Sequence, residues 1–240
     1  NAQGTYLSFV DSDDLIPPYA CEKSYNDAIK HDVNVVARNI MTFQNGEDVI
    51  DLNQFKYDDS KVKRCGRRSY QNPFYSMLGS SGYVTTLFFK TSFIIENNLF
   101  FKEGVTNYED QLFNFLAFPL VYEMVQDDNI FYCYRLNRPN SAVYSFNAKK
   151  VLYSAFKVAQ ELVGHHELFD FRKADEWIMD KIMDINYSHI TRDTQDPELK
   201  KSYAKKLVEL LEEDYFKNYD IQISQGNQDK INNLKAIAAE

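Results

Sequence analysis

The sequence predicts a mixed α/β fold, of α+β character over the 240 residues given, with a sheet-bearing part over 1–147 and a helical part over 148–240. Three observations predict it. First, Thr5-Tyr-Leu-Ser-Phe-Val10 is mostly apolar and strand-like, and runs directly into Asp11, Asp13 and Asp14. A buried strand ending in clustered acids places negative charge at the carboxyl edge of a sheet, where open α/β sheets bind ligands. Second, short β-branched runs such as Val33–Ala37 alternate with helical spacing as far as Tyr134. Third, beyond Asn147 the spacing is helical throughout: Val151, Leu152, Ala155, Ala159 and Leu162, then Ile178, Ile182, Ile185 and His189, then Leu199, Tyr203, Leu207 and Leu210.

The elements follow in order. Pro17 and Pro18 suit a first helical turn, because their fixed φ fits and their missing N–H groups would lack partners there. The helix they open is expected to run to His31 with Cys21, Tyr25, Ala28 and Ile29 on its packed face. Val33–Ala37 reads as a strand, and Ile40–Phe43 and Asp48–Leu52 as a hairpin about Asn45-Gly46. Asp58 to Gln71 reads as a solvated loop with a basic cluster at Lys61, Lys63, Arg64, Arg67 and Arg68. Asn72–Leu78 is expected to form a short helix, Gly79–Gly82 a break, and Tyr83–Ile95 a strand running into a helix. A helix opens at Asn107 and continues to about Phe118, a strand covers Asp128–Tyr134, and Arg135–Ser141 forms a polar loop. In the tail, Asp196-Pro197 is a cap with a first-turn proline, and a weaker fourth helix covers Ile231–Ala238.

Charge and cysteine usage narrow the functional classes. A net charge of −8 argues against nucleic acid as a partner, since phosphate-backbone binding rests on Lys and Arg. The same charge means that an anionic phosphate ligand needs a local cation. Side-by-side carboxylates repel, and a bound cation is the usual reason to keep Asp11, Asp13 and Asp14 together. Cys21, Cys65 and Cys133 are scattered without a CxxC pair, which fits a reducing compartment. No apolar run is long enough to span a membrane. Asn1-Ala2 matches a common tag scar, which implies that the natural sequence begins at Gln3 within a longer protein.

Three stretches together resemble the metal-dependent GT-A glycosyltransferases of family 2, the branch that builds bacterial capsule and exopolysaccharide. Gly4-Thr-Tyr-Leu-Ser-Phe-Val-Asp-Ser-Asp-Asp-Leu-Ile-Pro-Pro18 is similar to the family's DxD segment nearly position for position. Thr91–Gly104 followed by Glu109-Asp110 and Phe113 resembles its acceptor segment and E-D helix, and Tyr132-Cys-Tyr-Arg-Leu-Asn-Arg-Pro-Asn-Ser141 resembles its final strand and loop.

The resemblance implies an incomplete GT-A Rossmann-like domain followed by a helical C-terminal domain. It implies that Asp11 and Asp13 hold Mn2+ or Mg2+ against the diphosphate of a nucleotide-sugar donor, with Asp14 also on the donor side. It implies that Asp110 is the general base of an inverting transfer, that Glu109 orients it, and that Arg135, Arg138 and Ser141 contact or close over the donor. The acceptor would be a glycan or lipid-linked sugar, and the location cytoplasmic, with peripheral association at the inner face of the membrane. The family's nucleoside-binding half, which precedes the DxD segment, has no counterpart here. That leaves Thr5–Val10 exposed, paired elsewhere in the chain, or paired across a homodimer. No histidine matches the downstream metal ligand of some relatives, and the tail histidines read as surface or core residues. Two other readings remain: a non-catalytic interaction module that docks through the helical tail, and a plain Ca2+ or Mg2+ site on the three aspartates.

Overall fold

A computed structural model describes residues 2–44, 46, 50–66, 83–137, 147–170, 174–219 and 221–240. The chain divides into two compact units: Asn1–Phe100 with Phe113–Ser145, and Phe101–Leu112 with Phe146–Glu240. The second unit takes in Phe101–Leu112 as well as the tail, although the sequence reading places that segment in the sheet-bearing part.

The first unit is built on a five-stranded mixed sheet of β1 (Tyr6–Ser8), β2 (Val35–Gln44), β3 (Val62–Gly66), β4 (Leu87–Lys90) and β5 (Glu123–Leu136), in the order β1-β4-β2-β5-β3. Its centre is the parallel pair β2 and β5. Val35, Val36 and Ala37 are fully buried, as parallel strands covered on both faces require. The remaining pairings, β1 with β4, β4 with β2, and β3 with β5, are antiparallel. The Thr5–Val10 strand therefore pairs within the chain, on β4, with Leu7 opposite Phe89.

Three sequence expectations are corrected. Val35–Gln44 is one ten-residue strand, β2, that runs through Ile40–Phe43 and pairs among the described residues with β4 and β5, while Asn45 and residues 47–49 of the expected hairpin lie outside the described residues. Leu52–Gln54 is a 3-10 turn capped by Asp51, whose carboxylate accepts from the Asn53 N–H at 3.0 Å. The polar stretch after Asp58 contains β3, an edge strand with Lys63 and Arg64 exposed. Charge on an edge strand blocks further pairing, so polarity there disguised a strand as a loop.

The third correction concerns α1 (Ala20–His31), which buries Ala20, Ser24, Asp27 and Ala28. Cys21 is exposed, and Tyr25 and Ile29 are 43% and 53% exposed. The helix turns a polar edge inward because Arg38 lies buried beneath it, with Nη1 donating to Ser24 Oγ at 3.4 Å. The expected strand-to-helix passage at Tyr83–Ile95 is present as a 3-10 turn, β4 and α2 (Thr91–Glu96). The expected helix after Asn107 is α3 (Glu109–Ala117), and the division between the units falls inside it.

The second unit holds α4 (Ala148–Gly164), α5 (Ala174–Ser188), α6 (Pro197–Glu209) and α7 (Gln225–Ala239), one for each periodic stretch of the tail. Val151, Leu152, Ala155, Ala159 and Leu162 are buried, as are Ile178, Ile182, Ile185, Tyr203, Leu207, Ile231 and Leu234. Local chemistry starts the helices: Asn147, Asp196 and Ser224 accept the N–H groups of Lys150, Leu199 and Asn227 through their side chains. α5 and α6 end in wide π-type turns, His189–Asp193 and Leu210–Phe216. Among the described residues no helix is long and apolar enough to cross a membrane. The expected helix at Asn72–Leu78 and the Gly79–Gly82 break lie outside the described residues.

Candidate active site

Beyond Ser8, β1 gives way to a turn closed by the Asp14 N–H to the Asp11 carbonyl at 3.2 Å. Leu15 then docks on β5 through two reciprocal backbone bonds with Cys133, of 3.1 and 2.8 Å. Between these anchors Tyr132 serves both ends of the turn. Its phenol donates to Asp14 Oδ2 at 2.7 Å and accepts the Asp11 N–H at 3.0 Å. The other Asp14 oxygen accepts the Arg135 N–H at 2.8 Å, and Arg135 Nε donates to the Asp13 carbonyl at 2.8 Å. The Arg135 guanidinium also lies 4.6 Å over the Phe43 ring, which fixes its direction.

The three acids thus separate into two kinds. Asp14 is buried, with both oxygens engaged by β5, while Asp11 is exposed and Asp13 half-buried. Burial first, and then the Asp14 carboxylate, push the Tyr132 phenol well above its ordinary range, although the Asp11 N–H pulls it down. Tyr132 therefore keeps its proton and remains a donor. A carboxylate with both oxygens satisfied by the fold is a structural anchor, which sets Asp14 apart from the more accessible Asp11 and Asp13.

Behind the turn lies a buried cation that the sequence reading did not single out. Arg38 donates to Ser8 Oγ at 2.7 Å and to the carbonyls of Thr85 and Leu87 at 3.0 and 3.1 Å. It is 3% exposed, and desolvation lowers its pKa to about 10, so it stays charged at neutral pH. By tying Ser8 to β4 it fixes the strand that delivers Asp11. A lone charge after Val35-Val36-Ala37 was the signal available for it. Beside it in the β2–β5 register is Asp127, fully buried and pushed up to about 6 by desolvation. Asp127 Oδ1 accepts two bonds from Asn129, while Oδ2 has no hydrogen-bond partner among the described residues.

Glu109 and Asp110 belong to the second unit and open α3 as its first two residues, both half-buried. Acids in a first turn suit the positive end of the helix. Preceding them, Tyr108 has φ 66°, a left-handed conformation rare for a bulky residue, and its carbonyl accepts the Leu112 N–H at 2.8 Å. The second unit holds this strained position. Tyr108 hydrogen-bonds His189 Nε2, and His189 Nδ1 lies 2.8 Å from the Asp193 carboxylate, an ion-pair distance with poor hydrogen-bond alignment. The buried Ser154 hydroxyl on α4 accepts the N–H groups of Thr106 and Asn107 at 3.2 and 3.3 Å. Lys102 pairs with Glu161 on α4 at 2.6 Å. His189 is therefore neither a plain surface nor a plain core residue, and its place within an otherwise apolar helical stripe was the signal available.

The predicted residues fall into two groups. Asp11, Asp13, Asp14 and Arg135 are brought together on the first unit, and Glu109 and Asp110 stand together on the second. Arg138 and Ser141 lie outside the described residues. Among the described residues no group of three or more His, Cys, Asp or Glu is arranged to hold a metal ion. The exposed Asp11 and half-buried Asp13 fit a hard cation of the Mg2+ or Mn2+ kind, which takes one or two protein carboxylates and completes its shell with phosphate oxygens and water.

No family model matches the sequence, and no curated protein matches it. Solved structures do match. That of S. aureus TarS 1–349 in complex with UDP-GlcNAc aligns at a TM-score of 0.66 and 16% identity, covering 99% of this chain and 68% of that one. TarS 1–349 in complex with UDP aligns at 0.55 and 16% identity, covering 99% and 67%. The longer S. aureus TarS structure aligns at 0.58 and 14% identity, with 99% of this chain spanning only 40% of that one. At such identity the likeness is one of fold: the chain shares the mixed α/β architecture of these TarS structures.

Proposed function

We propose that this chain is part of a metal-dependent, inverting glycosyltransferase that moves a sugar from a nucleotide-diphosphate donor to a glycan or lipid-linked acceptor. The observation that carries the reading is the sorting of the acids at the end of β1. Asp14 is locked to Tyr132 and Arg135, whereas Asp11 is exposed and Asp13 half-buried, which makes these two the solvent-accessible acids of the turn. The fold match to TarS structures containing UDP-GlcNAc and UDP supports a nucleotide-sugar donor.

In this reading Asp11 and Asp13 hold Mn2+ or Mg2+. The ion would supply neutralisation of the charge that builds on the departing nucleoside diphosphate. Arg135, held by Asp13 and Phe43, adds fixed positive charge beside that pair, and Arg138 and Ser141 complete the donor contacts. Asp110 takes the proton from the attacking acceptor hydroxyl, and Glu109 orients it. Family 2 membership, surface-polysaccharide synthesis and a cytoplasmic site at the inner face of the membrane belong to the same proposal. So does homodimer formation.

The test is a thermal-shift series with UDP-GlcNAc, UDP and other nucleotide sugars, with and without Mn2+, on this chain and on the whole natural protein. A donor at about a hundred times its Kd should stabilise by roughly 2.7 kcal/mol. The shift should need metal and vanish in Asp13→Asn. A cation response that ignores the nucleotide would replace this reading with a bare metal site. If no nucleotide shifts either protein, the interaction-module reading takes its place.

A further inference from the structure

The helical unit carries a cavity of about 290 Å³ lined by Gly104, Thr106, Lys149, Lys150, Tyr153 and Tyr203. None of the residues assigned above to donor, metal or base lines it. Its charge runs against that of the chain, which has 35 acidic and 27 basic residues. Lys149 and Lys150 are the basic residues in its lining, and neither makes an ion pair among the described residues. Two more ammonium groups stand close by, Lys157 at 5.8 Å over the Tyr153 ring and Lys206 at 4.8 Å over the Tyr203 ring. Lys149 and Lys150 thus bring two cations without acidic partners to one hollow of an acidic protein, a local positive charge that favours anions.

The walls are aromatic and aliphatic. Tyr203 is 7% exposed and braced by Phe156 edge-on at 6.3 Å, whereas Tyr153 is 43% exposed and presents its ring. Gly104 has φ 81°, a conformation that glycine adopts without strain, and it borders the cavity beside the Tyr153 hydroxyl. A cavity of this size lies at the small end of ligand sites and holds one ring with a substituent. No amide or carboxylate lines it to read the edge of a nucleobase.

We propose that this cavity binds an anionic saccharide, a single sugar ring bearing a phosphate or carboxylate. The apolar face of the ring lies against Tyr153, and the anion sits between Lys149 and Lys150. Binding stands apart from the transferase reading. Only the identification of this ligand with part of the acceptor rests on that reading, and it names the acceptor as a charged glycan.

Calorimetric titration of this chain with glucose 6-phosphate, glucuronate, glucose and inorganic phosphate tests the assignment. At least one charged sugar should bind tenfold or more tightly than both glucose and phosphate, and which one binds identifies the anion. The double variant Lys149→Gln/Lys150→Gln and the bulk-preserving Tyr153→Leu should each lose tenfold or more. The lysines are exposed, so the double variant should keep its melting temperature. Phosphate binding as tightly as the charged sugars overturns the saccharide assignment, and unchanged binding in the double variant overturns the site. Because the thermal shift with UDP-GlcNAc and Mn2+ is read separately, failure here leaves the donor site untouched, and failure there leaves this one.

Discussion

Two of the chain's short acidic stretches carry the candidate site residues, and the fold mounts them differently. Asp11–Asp14 is clamped by the sheet: one buried tyrosine and one backbone N–H engage both oxygens of Asp14, a two-bond bridge from Leu15 to β5 holds the chain just beyond it, and Asp11 and Asp13 stay accessible. Glu109-Asp110 is set by a helix start, and its geometry depends on a left-handed tyrosine that the helical unit holds through His189 and Ser154. The first is a rigid platform, as suits groups that hold a ligand. The second is a carboxylate pair whose direction rests on one strained residue, where a small change in support alters aim more than stability.

The sharpest way to break this comparison is Asp110→Asn. If Asp110 is the base, transfer should fall by about 10²–10⁴-fold, the usual contribution of a positioned base. Metal-dependent stabilisation by the donor should persist, since the platform is untouched. Loss of both together would mean that the two stretches do not divide the labour as proposed.

The buried Asp127, elsewhere on the strand that holds the platform, sharpens it. Its carboxyl binds a proton more readily in the folded chain than in the unfolded one, so between about pH 4 and 6 the folded state holds the extra proton. Stability is highest below that window and falls as pH rises through it, by about 3 kcal/mol in total. Asp127→Asn should remove this slope and raise stability at pH 7 by up to about 3 kcal/mol. Urea unfolding at pH 4, 5, 6 and 7 reads both effects, and an unchanged slope in the variant would refute the cause.

Tyr132→Phe should cost about 1–3 kcal/mol, because it leaves a buried Asp14 oxygen and the Asp11 N–H without their phenol partner. It should also weaken the metal-dependent shift, which a purely structural tyrosine would not do. The smallest effect belongs to the other mount. Tyr108→Phe should cost about 1 kcal/mol in urea unfolding, the net worth of one hydrogen bond. It should lower kcat while leaving donor KM unchanged, whereas equal changes in both would make His189 a packing residue only.

Much of the helical unit was legible in sequence because its signals are local. The cap at Asp196, the proline at 197 and the spacing of apolar residues act within one or two turns of where they are read. The sheet was legible only in part. Val33–Ala37 announced a strand, but β3 looked like a loop because an edge strand carries charge, and the inward face of α1 was misread because a buried arginine wanted serine there. The roles of Tyr132 and His189 depend on partners 118 and 81 residues away.

The sequence by itself determined the class of fold, the four tail helices and the placing of acids at the end of a strand, since propensity, capping and periodicity are properties of neighbouring residues. Only the tertiary structure decided that β1 pairs with β4, that Asp14 is the buried anchor while Asp11 and Asp13 remain accessible, and that Glu109-Asp110 belongs with the helical unit. Those outcomes depend on which buried donors and acceptors find each other once the chain has closed, and hydrogen-bond satisfaction in a core is a global condition that no local pattern encodes.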